Sequence, residues 1–176
     1  DFYAYGPITP DVEKIEAEIA ARGGPNNIHF PGYAENAADA IASVDIVVNL
    51  SRFAESFGRT AAEGMAARRP VIAYNHGALP SVIKDGVTGF LIPFGSPLSA
   101  INCLDAFLKD QDMLRDMGEA GRERAIRLFS LEVLAFNVNA VLDAVIAGKD
   151  AFELRRSADP SAKFREFSVP RFGLAD

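Results

Sequence analysis

The sequence predicts an α/β domain built on an open, doubly wound parallel sheet. Three observations carry this. Short apolar runs rich in Val, Ile, Phe and Tyr recur along the chain. Stretches of helical periodicity alternate with them in a repeated strand–helix order. Two of the runs, 45–50 and Val71–Tyr74, are apolar almost throughout. Strands read that way when helices cover both faces of a parallel sheet.

In chain order, Phe2–Tyr5 is the first expected strand. Thr9-Pro10-Asp11 then starts a helix on which Val12, Ile15 and Ile19 form one apolar stripe. Residues 28–30 give the second strand, and Ala37, Ile41 and Val44 mark the second helix. Residues 45–50 are the third strand. A third helix is expected from near Gly58 to Arg69-Pro70, where proline stops it. Val71–Tyr74 is the fourth strand, Leu79, Val82 and Ile83 mark a short helix, and Gly89–Ile92 is the fifth strand. Leu98, Ile101, Leu104 and Leu108 define a fifth helix. Residues 111–128 define a sixth, with a break expected near Gly118 or Gly121. Leu134, Val138, Val141 and Val145 repeat at helical spacing in a seventh. Periodicity stops at Gly148. The reading is therefore one domain over residues 1–148, with 149–176 as a tail or interdomain segment carrying Pro160, Pro170 and Gly173.

Composition narrows the partners. The 176 residues carry 18 basic and 24 acidic side chains, a net charge of -6. A nucleic-acid backbone therefore makes a poor partner. Apolar residues at 49% and charged ones at 24% exclude an intrinsically disordered chain. Cys103 stands alone, which excludes an internal disulfide and makes the cytoplasm the expected compartment. No uninterrupted apolar run approaches the roughly 18 residues of a membrane span, and no secretory signal is visible. The chain opens on a strand without an initiator Met, so it is expected to be an internal piece of a longer protein.

In a doubly wound sheet the ligand lies outside the carboxyl ends of the strands. That directs attention to Gly6, to Gly32-Tyr33, to 51–58 and to 75–77. The segment around 49–67 runs from strand through loop into helix and holds Glu55 and Glu63. Gly58 removes a Cβ where the loop enters the helix. The first-turn N–H groups near Gly58, Arg59 and Thr60 suit an anion such as a diphosphate. An ionised carboxylate nearby can accept from sugar or ribose hydroxyls. Two plainer readings stand beside this one. Thr60-Ala61-Ala62-Glu63 also fits a capping box in which Glu63 serves its own helix. Glu55 also fits an exposed loop acid drawn to the positive helix end.

The stretch E-S-F-G-x-x-x-x-E-x-M-A, with Glu55 and Glu63 as its acids, resembles the E-x7-E motif of retaining glycosyltransferases of the GT-B fold, family-4 type. The likeness continues through 66–73 and 77–93. Upstream, Asn27-Ile28-His29-Phe30-Pro31-Gly32-Tyr33 resembles the family's N-V-x-F-x-G strand and loop, and Asp45-Ile46-Val47-Val48 its A-D-[IV]-[FV]-V strand. The resemblance spans about residues 3–145. It implies a Rossmann-like domain, the C-terminal, donor-binding half of a GT-B enzyme. By that resemblance, Glu63 holds the ribose hydroxyls and Glu55 is the catalytic acid against the donor sugar. The backbone N–H groups of Ser56, Phe57 and Gly58 meet donor hydroxyls and phosphate. Arg59 and Thr60 lie near the diphosphate, and Gly32 and Tyr33 near the base.

The implied substrate is a nucleotide-diphosphate sugar. No metal and no other cofactor is expected. The acceptor, a sugar, lipid-linked or other hydroxyl, would be held by an N-terminal domain, to which any membrane contact would also belong. The family's basic pair that clamps the diphosphate lies in a first βα segment, which this chain is expected to lack. A non-catalytic nucleotide-binding module and a related GT-B phosphorylase or epimerase are the alternatives. Arg68 replaces the Gly that usually ends the helix after Glu63, Ala78 the second Gly of a G-G pair, and Ser81 a common Glu. Of the remaining signals, His29 reads as structural and His76 as a strand-exit group able to see the donor. Met113 and Met117 read as core, and Arg122, Arg124 and Arg127 as a solvated face.

Overall fold

The computed structural model describes residues 1–23 and 27–148. The expected tail, 149–176, lies outside the described residues. The alternation is present as β1 (Phe2–Tyr5), α1 (Pro10–Ala21), β2 (Ile28–Gly32), α2 (Ala37–Ala42), β3 (Val47–Asn49), α3 (Arg59–Ala66), β4 (Val71–Tyr74), α4 (Leu79–Val82) and β5 (Gly89–Ile92). Three helices follow: α5 (Pro97–Lys109), α6 (Gln111–Phe129) and α7 (Leu131–Ile146). Side-chain caps start several helices. Thr9 accepts from the Val12 N–H ahead of Pro10, Asn36 from Ala38, and Asp110 from Met113.

Every strand pair is parallel, but the strands form two sheets, β1–β2 and β3–β4–β5, where one was expected. In the larger sheet Val71 partners both Val47 and Gly89, and Ile72 partners both Val48 and Phe90. All four residues of β4 are buried. Successive side chains point to opposite faces. Val71 and Ala73 join Met65, Leu79, Val82 and Ile83 on one side. Ile72 and Tyr74 join Ile92, Ala100, Phe107 and Met117 on the other. The apolar run of β4 thus has helices on both faces, as a central parallel strand requires. α6 serves both layers, with Met117 in one and Ala125 in the other.

Several boundaries differ from expectation. The second strand extends to Gly32, whose carbonyl accepts from the Gly6 N–H at 3.0 Å. The third begins only at Val47, because α2 ends at Ala42 and the chain must turn before the Val47 N–H reaches the Pro70 carbonyl. α3 stops at Ala66, short of Arg69. Arg68 adopts φ 60°, the Arg69 N–H donates to the Gly64 carbonyl and the Arg68 N–H to the Met65 carbonyl. That is a Schellman closure with arginine where glycine is usual. α6 is unbroken. A Cβ on Gly118 would lie 2.3 Å from the Arg68 carbonyl oxygen, so this glycine permits close helix packing instead of ending the helix.

Arg122 and Arg124 are not solvated. Arg122 donates to the Ala66 carbonyl, and Arg124 to those of Val82 and Ser81 at 2.7 and 2.8 Å. Burial lowers the Arg124 pKa, with Arg127 adding to the effect. Arg127 is exposed as expected.

The α7 stripe of Leu134, Val138, Val141 and Val145 is exposed. The segment Gln111–Ile146 contains an 18-residue window of mean hydropathy 1.6, which by length and composition qualifies as able to cross a membrane. Ser130 divides it. Its extended backbone, φ -68° and ψ 158°, ends α6 and caps α7. α7 alone has 16 residues, about 24 Å of helix against a hydrocarbon core of about 30 Å. Asn137, Asn139 and Asp143 also interrupt its apolar surface.

Candidate functional site

Glu55 is held from three sides at the carboxyl ends of β3 and β4. Asn49, the last residue of β3, is buried, and its Nδ2 donates to Glu55 Oε1 at 2.8 Å. Asn49 Oδ1 accepts the Ser51 N–H at 3.2 Å, and Ser51 Oγ accepts the Phe53 N–H at 3.1 Å, which folds the loop back under Glu55. From β4, the Ala78 N–H donates to the Glu55 carbonyl at 2.9 Å. Gly77 lies so close that a Cβ there would meet Glu55 backbone atoms at 2.8 Å. Arg124 secures this second loop from behind through the carbonyls of α4. Glu55 is therefore no loosely tethered surface acid.

Gly58 follows as the N-cap of α3, with φ 87° and no side-chain cap bond. A Cβ there would lie 2.6 Å from Leu79 Cδ2 and 3.7 Å from Glu55 Oε2. The glycine thus serves two ends. It supplies left-handed backbone and lets the loop close on Leu79, with the Glu55 carboxylate beside the helix start. The first intrahelical bond runs from the Ala62 N–H to the Gly58 carbonyl. The preceding first-turn N–H groups, at Arg59, Thr60 and Ala61, carry no side-chain cap.

This geometry excludes the capping box. Thr60 sits inside α3, one residue after its start, and not at the N-cap. Glu63 instead accepts from Arg59 Nε at 2.6 Å, and that hydrogen bond, with the charge of Glu63, raises the Arg59 pKa. Arg59 is largely exposed and Glu63 about one-third exposed. Such a pair is weak and open to competition. Both residues line a cleft of about 490 Å³ between α2 and α3, together with Glu35, Asn36, Ile41 and Ala66.

Among the expected site residues, the structure brings Glu55 to Gly58 and Arg59 to Glu63. Ser56 and Phe57 connect them as exposed loop residues, the Phe57 ring edge-on to Phe129 at 5.3 Å. Gly32 ends β2 and Tyr33 follows it, three and two residues ahead of Glu35, which lines the cleft between α2 and α3. Gly32 closes the β1–β2 ladder, and Tyr33 is 78% exposed. His29 stacks on Tyr3 at 4.7 Å, a structural role, and His76 sits against Phe94 at 4.5 Å beyond β4. Among the described residues no group of three or more His, Cys, Asp or Glu side chains is placed to hold a metal ion. The sequence reading missed Asn49 and Arg124. A lone amide ending an apolar strand was the available signal for the first. Nothing local marked the second, because its carbonyl partners lie some forty residues away.

Comparison with known proteins identifies the family and the fold. Residues 5–124 match the family Glycosyl transferases group 1. The phosphatidyl-myo-inositol mannosyltransferase of Mycobacterium leprae is 32% identical over 137 residues, 77% of this chain and 36% of that protein. The structure of HepE from Anabaena in complex with UDP and glucose superposes with TM-score 0.73 at 22% identity, covering 81% of this chain and 40% of that one. The C-terminal domain of a glycosyl transferase group 1 family protein from Francisella tularensis superposes with TM-score 0.62 at 26% identity, covering 70% of this chain and 66% of that one. The chain spans between 20% and 36% of the length of the curated relatives it matches. With the family's sequence pattern over most of its length and the GT-B type of α/β fold, this chain belongs to the glycosyl transferases group 1 family.

Proposed function

We propose that residues 1–148 form the donor-binding half of a retaining glycosyltransferase that transfers a sugar, of hexosyl type, from a nucleotide-diphosphate sugar to an acceptor hydroxyl. The observation that carries this reading is the fixed carboxylate of Glu55 beside the start of α3. Breaking the bond between sugar and diphosphate leaves positive charge on the sugar and negative charge on the leaving phosphate. In this reading Glu55 faces the first, and the N–H groups following Gly58 face the second, a preorganised electrostatic arrangement. Glu63 takes the ribose hydroxyls once they displace Arg59, which is then released toward the diphosphate. The neighbour HepE, solved with UDP and glucose, supports a uridine nucleotide as the first donor to try. The acceptor oxygen forms the new glycosidic bond as the bond to the diphosphate breaks, its proton passes to the departing phosphate oxygen, and the residues that select the acceptor belong to another part of the enzyme. The reading uses no metal and places the enzyme in the cytoplasm.

Calorimetric titration with UDP, GDP and ADP and their sugar conjugates tests it. One nucleotide should bind, and Glu63→Ala should weaken it by about tenfold or more, the loss of one charged hydrogen-bond partner. In the complete enzyme Glu55→Gln should lower kcat strongly, whereas Glu63→Ala should act mainly on KM. Wild-type kinetics in both variants would refute the assignment.

A further inference from the structure

We infer that Asn49 is a positioning residue: it anchors one carboxylate oxygen of Glu55 and so presents the other, Oε2, at the start of α3. Among the described residues two polar or charged residues are buried, Asn49 and Thr88. Thr88 serves its own turn, accepting the Lys84 N–H at 2.9 Å. Asn49 instead reaches from the end of β3 to the site. An apolar residue would end that strand without the cost of burying an amide.

Its bonds fix which way the amide faces. The Ser51 N–H can only donate, so Asn49 turns Oδ1 toward it, at 3.2 Å. The NH2 group is then left for Glu55 and donates to Oε1 at 2.8 Å. The Glu55 main chain is already pinned, because the Ala78 N–H donates to its carbonyl at 2.9 Å. What remains to be fixed is the side chain, whose torsions each have several wells. A hydrogen bond to the charged carboxylate selects among them. The other oxygen, Oε2, lies 3.7 Å from where a Gly58 Cβ would stand, beside the first-turn N–H groups of α3. The catalytic meaning of this rests on the donor reading above, in which that oxygen faces the sugar and those N–H groups face the phosphate. Asn49 acts through Glu55 and not on the substrate.

A plainer role competes. An Asn at a strand exit can shape the following loop through its oxygen alone, and Asp does so equally well. The two roles predict opposite orders of substitution. If Asn49 only shapes the loop, Asn49→Asp is milder than Asn49→Ala. If it anchors Glu55, Asn49→Asp is the more harmful, because it sets two carboxylates at hydrogen-bond distance.

The complete enzyme serves for the test. Without ligand, Asn49→Asp should lower Tm by about 5 °C or more. Adding Glu55→Gln should restore at least half of that loss, since the Gln amide then donates to the new carboxylate. With the UDP, GDP or ADP sugar conjugate that the wild type turns over, kcat should fall about tenfold in Asn49→Ala and further in Asn49→Asp, while KM changes less than about twofold. An aspartate variant milder than the alanine variant overturns the inference. So does a double variant that is no more stable than Asn49→Asp alone, including the case in which neither folds. Rescue of Tm together with an unchanged kcat in Glu55→Gln would support the anchor and refute the donor reading instead.

Discussion

Phe2-Tyr3-Ala4-Tyr5 and Val71-Ile72-Ala73-Tyr74 are four-residue apolar strands with the same Ala-Tyr end, in opposite situations. Every residue of β4 is buried, whereas in β1 only Ala4 is even partly so. The contrast extends to whole regions. Among the described residues none before Val47 is buried, and the entire core lies at Val47 and beyond. β4 has a strand on each side and a helical layer on each face. β1 has a neighbour on one side only, and α1 buries no residue. Burial is thus decided by what flanks a strand and not by its own apolar content.

The largest expected difference lies in side-chain truncation. Phe107 is fully buried, and Phe107→Ala should cost about 3–5 kcal/mol. Tyr3→Ala, at a site 44% exposed, should cost under about 1 kcal/mol in the same chain. Urea unfolding midpoints measure both. Equal losses would mean that the first region is packed as tightly as the second, and would break the comparison.

A pair of glycines sharpens it. Gly32 and Gly58 share left-handed backbone, φ 82° and 87°. A Cβ on Gly32 meets nothing within 4 Å, whereas one on Gly58 meets Leu79 at 2.6 Å. Gly32→Ala should therefore cost only the backbone strain of about 1–2 kcal/mol. Gly58→Ala should add about 1–3 kcal/mol of overpacking and displace the Glu55 loop. Donor titration separates stability from site geometry, since Gly58→Ala should also abolish binding.

The elements were legible in the sequence because each carried its own signal: Thr9-Pro10 at a helix start, the unbroken apolar run of β4, the Glu55–Gly58 loop at a strand exit. What the sequence hid were relations between distant segments. The split of the sheet leaves no mark in β1. Arg122 and Arg124 looked solvated because their carbonyl partners belong to α3 and α4. Gly118 looked like a helix breaker because the Arg68 carbonyl beside it is fifty residues away in the chain. The capping box was a local pattern overridden by where α3 begins.

Titration of Cys103 gives a smaller signal from the closed region. Burial, then the charge of Asp85, raises its pKa above the usual thiol value of 9.0. The folded state therefore holds the proton after the unfolded state has released it. Stability should be unaffected by this group below about pH 8 and fall slightly as pH rises through and beyond ~9. Denaturation curves of wild type and Cys103→Ser across pH 7–10 should diverge only at the alkaline end.

The smallest effect is the most diagnostic of backbone geometry. Arg68 holds φ 60° at the end of α3, and its side chain pairs with Glu119 at 2.9 Å between two half-exposed groups. Left-handed backbone costs a non-glycine residue about 1–2 kcal/mol, and an exposed ion pair returns at most about 1 kcal/mol. Arg68→Ala keeps the strain and loses the pair, so it should be slightly destabilising. Arg68→Gly loses the same pair and relieves the strain, so it should exceed the alanine variant by about 1 kcal/mol. Because both variants lack the side chain, their difference reports the backbone alone. Identical unfolding midpoints would mean that this corner is not left-handed, and with it would go the close approach of α6 through Gly118 that seals one side of the core.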